Sequence, residues 1–297
     1  MRKAYIKMHV AIFLWGFTGL LGKFIQLNEG MLVWYRLFIS SIAIACILLY
    51  RKSFPRLSMK ELMKISGIGF LVMLHWITFY ASIKLSSISV AMVCLSSIAL
   101  FASIIEPIVS RTRFDYMEIL FSAVAMIGIF TIYSSDASAS LGIIIGVISA
   151  LLSATFSTFN KRITSKYEPL TISLVELTSG MILLTLLFPL YFHIQPTTKY
   201  FPDFMDAVYL VILSLICTVF TWVLSLQALR KVSAYTMGLA LNLEPLYGII
   251  LAILFAGEGK LMNGGFITGA IIILITVTLH TFYNFNKHRK AYKREVL

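Results

Sequence analysis

Apolar stretches about as long as a bilayer is thick alternate with short polar segments along the whole chain. A helix that spans a membrane needs roughly 20 mostly apolar residues. The pattern therefore predicts ten membrane spans. They lie near residues 5–27, 31–50, 62–83, 87–110, 115–134, 141–160, 169–191, 206–228, 234–256 and 264–284.

The composition supports an all-α membrane protein. Hydrophobic residues make up 59% of the 297-residue chain, and charged residues only 13%, against about 25% in ordinary soluble proteins. No polar segment exceeds roughly 15 residues, well short of the ~50 that a small domain needs. Cys46, Cys94 and Cys217 lie in the middle of predicted spans, so we interpret them as small apolar residues. We predict no metal and no cofactor.

The basic residues predict the orientation of the chain in the membrane. The net charge is +12, and with the N-terminus inside, 20 of the 25 Lys and Arg residues fall on the inner side. Cytoplasmic loops carry an excess of Lys and Arg. We therefore expect an inner-membrane protein with both termini in the cytoplasm. The basic C-terminal tail then contacts anionic membrane lipids, and no nucleic-acid partner is expected.

The second half of the chain resembles the first half. Setting residues 79–86 on residues 226–233 aligns Lys84 with Lys231, and the same offset sets His75 on Trp222. Each half holds five predicted spans, an odd number, so the second half must enter the membrane from the opposite side. Inverted repeats of this kind are typical of secondary transporters.

We place the boundary between the two five-helix repeats at residues 136 and 137, giving repeats 1–136 and 137–297, the latter including the basic tail.

Several short motifs resemble one family of ten-helix permeases. They are Trp15-Gly16 followed by Lys23, then Arg36, Phe79-Tyr80-Ala81, Leu243-Glu244-Pro245-Leu246 and Gly257-Glu258. In their order and spacing, the chain resembles an EamA-type member of the drug/metabolite transporter superfamily. The resemblance implies two inverted five-helix repeats around a central cavity, lined by spans one, three, four, six, eight and nine. The chain lacks the proline usual in span four, where it reads Ser96-Ser97.

Glu244 is the foremost candidate for chemistry. It lies about ten residues into span nine, and Pro245 after it removes an amide donor, which frees the carbonyl of Leu241. Together with Asn242, these groups predict a polar pocket in apolar surroundings. The carboxyl group is expected to bind and release a proton or to bind a substrate ammonium, whereas the structural alternative is a helix kink.

Three further charged residues lie within predicted spans, where charge is costly, with Glu106 nearer the inner face and Arg36 near the outer end of its span. Glu106 precedes Pro107 in span four, and a gate or an ion pair at a helix end explains it. Glu176 in span seven aligns with Arg36 in span two. For that pair, the two interpretations are structural anchoring and gating.

Aromatic and amide side chains suit a small amphipathic ligand. His75 is either a ligand contact or a buried hydrogen-bonding group. The residues predicted to bind substrate are Trp15, His75, Trp76, Tyr80, Ser96, Ser97, Trp222, Gln227, Asn242 and Glu244.

Small residues predict close helix packing in two places. One face of span six carries Gly142, Gly146 and Ser153, and Gly265 and Gly269 recur in span ten. The protein is then a monomer, or a homodimer formed through helix 10.

The sequence thus predicts a transporter rather than an enzyme. It exports a small metabolite, an amino acid or a similar amphipathic compound, by alternating access, with protons as the proposed coupling ion. No ATP-binding or hydrolase motif is present. The alternatives are an intramembrane lipid-modifying enzyme that uses His75 and Glu244 as an acid–base pair, and a membrane scaffold or sensor without transport.

Overall fold

A computed structural model describes residues 2–53, 57–111, 114–135, 139–163, 166–229 and 243–296. Within these ranges the regular elements are all helical, which confirms the predicted fold class. The α-helices are α1 (Arg2–Phe24), α2 (Glu29–Tyr50), α3 (Met59–Leu85), α4 (Ile88–Leu95), α5 (Ile98–Ser110), α6 (Tyr116–Ser135), α7 (Ser140–Ile163), α8 (Pro169–Ile194), α9 (Phe204–Val211), α10 (Thr221–Leu229), α11 (Glu244–Phe255) and α12 (Gly264–Val296). A π-helical segment (Ile212–Phe220) joins α9 to α10, and a 3₁₀ turn (Glu258–Leu261) precedes α12.

In the described part of the chain, seven helices are long and apolar enough to cross a membrane, or eight if the bent pair of α4 and α5 is one span. Two shorter apolar helices, Glu244–Phe255 and Gly264–His280, lie within predicted spans nine and ten. Residues 230–242, which include the first part of predicted span nine, lie outside the described residues. Span eight consists of α9, the π segment and α10. Helix α12 continues past the predicted end of span ten to Val296.

The contacts between helices show a two-fold pattern. α3 packs on α7 as α10 packs on α1, and α3 packs on α8 as the π segment packs on α2. α1 contacts α11 as α7 contacts α4 and α5. The remaining pairs, α2 with α8 and α6 with α12, join equivalent spans of the two halves. Each of these contacts recurs under exchange of the halves, as expected for two inverted repeats.

Glycines allow α3 and α8 to approach closely. A methyl group added at Gly69 would lie 2.4 Å from the carbonyl oxygen of Glu176, and one at Gly180 would lie 3.1 Å from the Gly69 carbonyl oxygen. Helix backbones come this close in membranes where side chains are small. The predicted small-residue face of span six also packs closely against a neighbouring helix. There, Ser82 of α3 donates a 2.7 Å hydrogen bond to the backbone carbonyl of Gly142 in α7.

Span four is broken at the serines that replace the usual proline. The hydroxyl of Ser96 donates to the carbonyl of Val93, and that of Ser97 donates to the carbonyl of Cys94, each at 2.6 Å. Such bonds compete with the helical pattern and bend helices. The pair formed by α4 and α5 is accordingly bent by 40°.

A carboxylate from the second half caps the start of α4. Both oxygens of Glu258 accept hydrogen bonds at 2.8 Å, from the backbone N–H groups of Ile88 and Ser89. Glu258 is only 3% exposed, and negative charge is favourable at a helix N-terminus. Gly257 adopts a left-handed backbone with φ 69°, which turns the chain from α11 toward this contact.

The glycine face of span ten packs inside the same chain. Methyl groups added at Gly269 and Gly128 would lie within 3 Å of the other residue's carbonyl oxygen, and one at Gly265 would lie 2.2 Å from Cβ of Ser135. α6 therefore covers the face that the sequence offered for dimerisation. A homodimer through helix 10 stays a prediction, and it would need another face of that helix.

We expect Gly69→Ala to destabilise the protein and Gly67→Ala not to do so. The new methyl group at position 69 meets backbone of α8, whereas nothing lies within 4 Å of one at position 67. Overpacking costs about 1–3 kcal/mol. Thermal unfolding in detergent measures the difference, and equal melting temperatures for the two variants would contradict the tight α3–α8 contact.

Glu258→Gln is expected to lower stability by about 1–2 kcal/mol, because an amide replaces the charge that caps α4. The matched control is Glu168→Gln, at an exposed residue that precedes α8 and makes no side-chain cap bond. Chemical denaturation of both variants tests this prediction. A loss of stability no greater than in the control would show that the Glu258 carboxylate does not stabilise the start of α4.

Candidate functional site

The arginine of span two lies at the centre of the bundle, joined to both halves. Arg36 is only 5% exposed. One guanidinium nitrogen donates to the Tyr80 hydroxyl at 2.8 Å, and Nε donates to Oγ1 of Thr218 at 3.1 Å. The guanidinium carbon stands 3.7 Å from the centre of the Trp76 ring. These partners come from α3 and from the π segment, and all are neutral.

Local helix geometry brings these groups together. Trp76 and Tyr80 are four residues apart on α3, so they share one face. The Tyr80 ring fits against Gly22 of α1, where a methyl group would lie 2.2 Å from the ring. Thr218 turns its hydroxyl to the Leu213 carbonyl, five residues back. Both residues lie in the π-helical segment Ile212–Phe220, and π-helical turns often occur at functional sites.

Trp222 adds an unsatisfied donor to the same region. It follows Thr218 by four residues, about one turn along span eight, and packs in the same hydrophobic cluster as Tyr80 and Trp76. Its Nε1 atom is buried and has no hydrogen-bond partner. Buried polar atoms are seldom left unpaired. We call Arg36, Trp76, Tyr80, Thr218 and Trp222 the polar centre.

Glu244 faces the charge of Arg36 from the second half of the chain. It is the first residue of α11, with Pro245 in the first turn, where proline is best tolerated. Glu244 and Arg36 form no ion pair within 4.0 Å. Asn242 and Leu241, the other groups of the predicted pocket, lie outside the described residues.

His75 contacts helix α7. Its Nδ1 lies 2.9 Å from both the carbonyl and the hydroxyl oxygen of Ser149, and its ring packs beside Phe79 and Phe156. The alternative of a lipid-modifying enzyme that uses His75 and Glu244 as an acid–base pair stays a hypothesis.

The remaining predicted site residues lie in several places. Trp15 packs in a cluster at the α1–α10–α11 contact. Ser96 and Ser97 form the break of span four. Gln227 lies in α10, and its side chain is outside the described residues. Glu106 is half-buried in α5. The prediction that the substrate-binding set forms one site stays a prediction.

Glu176 lies at the α3–α8 contact and forms no ion pair with its predicted repeat counterpart Arg36 in the described part of the chain. It is 4% exposed, its Oε1 has no hydrogen-bond partner, and the Asn160 side chain lies in hydrogen-bonding range. A buried, incompletely bonded carboxyl group of this kind suits either anchoring or gating.

A polar network at the outer end was not anticipated from the sequence. Lys199 contacts Asp206 at 2.6 Å and Asp203 at 2.9 Å. Asp206 in turn accepts a 2.7 Å hydrogen bond from the backbone N–H of Gln26, in the turn between α1 and α2. Lys84 donates to the carbonyl of Leu27 in the same turn. The sequence signal was Asp203-x-x-Asp206, the spacing of a helix cap with a second acid in the first turn.

The hydrogen bonds that Lys199 donates to Asp206 and Asp203 raise the pKa of Lys199 above its ordinary value. The backbone N–H of Asp206 and then the Lys199 ammonium lower the pKa of Asp203. Lys199 and Asp203 are therefore charged at neutral pH. The bond from Gln26 to Asp206 holds the α1–α2 turn against the start of α9.

Two cavities lie away from the polar centre. One of 490 Å³ lies between α3 and α7, where Lys64, Arg162 and Lys166 surround an apolar floor. A smaller one of 180 Å³ lies beside Glu258. Neither is lined by a residue that the sequence predicted to bind substrate.

Known proteins share this fold and this sequence pattern. A curated relative from Archaeoglobus fulgidus, called an uncharacterized transporter, is 26% identical over 184 residues, covering 61% of this chain and 65% of the relative. A solved structure described only as a crystal structure of protein superposes with a TM-score of 0.62 at 14% identity, covering 93% of this chain and 96% of that chain. That likeness concerns the fold alone.

The model of the EamA-like transporter family matches the chain twice, over residues 2–134 and 140–282. The two matches together take in nearly every helix described above, and each contains five spans. The chain is an integral membrane protein, and it belongs to the EamA-like transporter family.

Proposed function

We propose that this protein is a secondary transporter that exports a small amphipathic metabolite, an amino acid or a close analogue, across the inner membrane in exchange for protons. The general function, transport, follows from membership of the family. The proposed substrate and the proposed coupling to protons rest on the chemistry of the bundle interior. The observation that supports it is Glu244, a carboxyl group at the start of α11 in predicted span nine that forms no ion pair with Arg36 within 4.0 Å.

A carboxyl group in this position suits a proton carrier. Charge inside hydrocarbon costs roughly 2.5 to 3.5 kcal/mol on insertion scales, so Glu244 favours states in which its charge is compensated. A proton compensates it, and so does the ammonium of a substrate. Because the two ligands compete for one carboxylate, binding of substrate releases the proton. That competition is the basis of exchange.

The packing of the two halves supports alternating access. The contacts that join the halves occur in pairs related by the pseudo-two-fold, so a rocking motion has two near-equivalent end states. At the outer end, the Lys199–Asp206–Gln26 contacts tie the halves together. In the proposed cycle these contacts break when the site opens outward and re-form when it opens inward.

The orientation follows from the basic residues, with both termini in the cytoplasm. The short segments that carry most Lys and Arg lie at one end of the bundle by sequence. The inward proton gradient of a bacterial-type inner membrane then drives export by exchange.

The test is transport in proteoliposomes with each of the radiolabelled L-amino acids in turn, followed by a fluorescent reporter of internal pH. We expect wild-type protein to accumulate at least one of them against its gradient when a pH gradient is imposed, with opposite proton movement. Glu244→Gln should lower gradient-driven accumulation by at least about ten-fold while exchange of labelled for unlabelled substrate persists, because the variant has no proton to release.

Glu168→Gln is the matched control, since that residue is exposed at the start of α8. Accumulation in Glu244→Gln equal to that of the control would remove Glu244 from the coupling. Absence of movement of any amino acid by wild-type protein would refute the substrate class.

A further inference from the structure

The guanidinium of Arg36 has neutral neighbours where a buried charge ordinarily has a counter-ion. Its described hydrogen bonds go to Tyr80 and Thr218, and its flat face rests on Trp76. No carboxylate pairs with it within 4.0 Å in the described part of the chain. A buried cation is costly unless it is paired, and guanidinium groups match carboxylates with two parallel hydrogen bonds.

Two groups near Arg36 have a hydrogen-bond donor that is not used within the described part of the protein. Nε1 of Trp222 is buried and donates to nothing. The Tyr80 hydroxyl accepts from Arg36, which leaves its own hydrogen free to donate. A cation, an unpaired indole N–H and a free hydroxyl hydrogen together suit a ligand that carries acceptor oxygens and negative charge.

Glu244 limits the class of ligand further. It begins α11, and it forms no ion pair with Arg36 within 4.0 Å. A simple anion on Arg36 would leave the Glu244 charge uncompensated. A zwitterion compensates both groups at once, with its carboxylate on Arg36 and its ammonium toward Glu244.

We propose that Arg36, aided by the Trp222 N–H and the Tyr80 hydroxyl, binds the carboxylate of a zwitterionic amino-acid substrate between spans two, three and eight. This inference rests on the proposed function, since it assigns the substrate's recognition group within that transporter. It makes Arg36 a substrate-binding residue rather than the anchor or gate that its position in the sequence indicates. Trp76 and Thr218 position the guanidinium.

Binding to purified protein tests the proposal independently of transport. The probes are the L-amino acids, their C-terminal carboxamides and their decarboxylated amines, each scored by the rise in melting temperature that a ligand produces by mass action. At least one amino acid should stabilise wild-type protein, with affinity at least about ten-fold above that of its carboxamide and its amine.

Three variants separate binding from folding. Arg36→Gln should abolish the stabilisation, and Arg36→Lys should retain it weakly, because an ammonium keeps the charge but not the paired geometry. Trp222→Phe removes a donor that has no partner in the protein, so the unliganded melting temperature should stay within about 2 °C while affinity falls about five-fold. This last variant keeps the test valid if Arg36→Gln does not fold.

The outcomes distinguish this inference from the proposed function. Carboxamides that bind as well as the acids, full affinity in Trp222→Phe, or no stabilisation by any amino acid would overturn the carboxylate site. Selective binding of an acid without proton exchange in proteoliposomes would instead refute the coupling and leave the carboxylate site standing.

Discussion

A guanidinium enclosed in an apolar bundle is the constraint on which the interior of this protein depends. Arg36 cannot be solvated by lipid, so the surrounding helices must satisfy it. They do so with groups from α3 and from the π segment. One residue of span two is thereby bonded to span three of its own half and span eight of the other half. If the two halves move relative to each other, the bonds of Arg36 either stay intact and move with it or are replaced by bonds to a ligand.

Two interrupted helices lie where the halves meet. Span four breaks at two serines, and span eight passes through a π segment whose Thr218 bonds Arg36. In a membrane, irregular backbone is tolerated only where protein or a cavity surrounds it. Both interruptions lie in spans that pack toward the opposite half, which concentrates polar atoms at that contact.

Charge holds the end of the bundle that carries the α1–α2 turn, and small residues hold helix contacts within it. Asp206 and Lys84 bond the α1–α2 turn, and Lys199 pairs with Asp206, whereas Gly69 and Gly180 let α3 and α8 touch along their backbones. Glu258 links the second repeat to the start of α4 in the first. The Lys199–Asp206 pair joins a partly exposed ammonium to a buried carboxylate, so water screens it less than a fully exposed pair.

The sequence by itself determined the class of fold. Apolar length predicts spans, an odd number of spans in each repeat predicts inversion, and a charge inside a span predicts a site. Each of these follows from one-dimensional information, because the bilayer imposes the same cost on every residue at a given depth. The order of the helices came from apolar length. Glu244 became a candidate through that cost together with Pro245 beside it, and Arg36 through the repeat alignment and the family motifs.

Only the tertiary structure decided which side chains meet. Sequence alignment of the repeats set Arg36 beside Glu176, yet its bonds go to Tyr80 and Thr218, and His75 bonds Ser149. Glu258 reads as a loop residue until the two halves fold together and bring it to the start of α4. Successive residues of a helix point about 100° apart, so a small rotation of either helix changes which side chains meet. The partners of a residue therefore depend on how both helices pack, which the sequence does not specify.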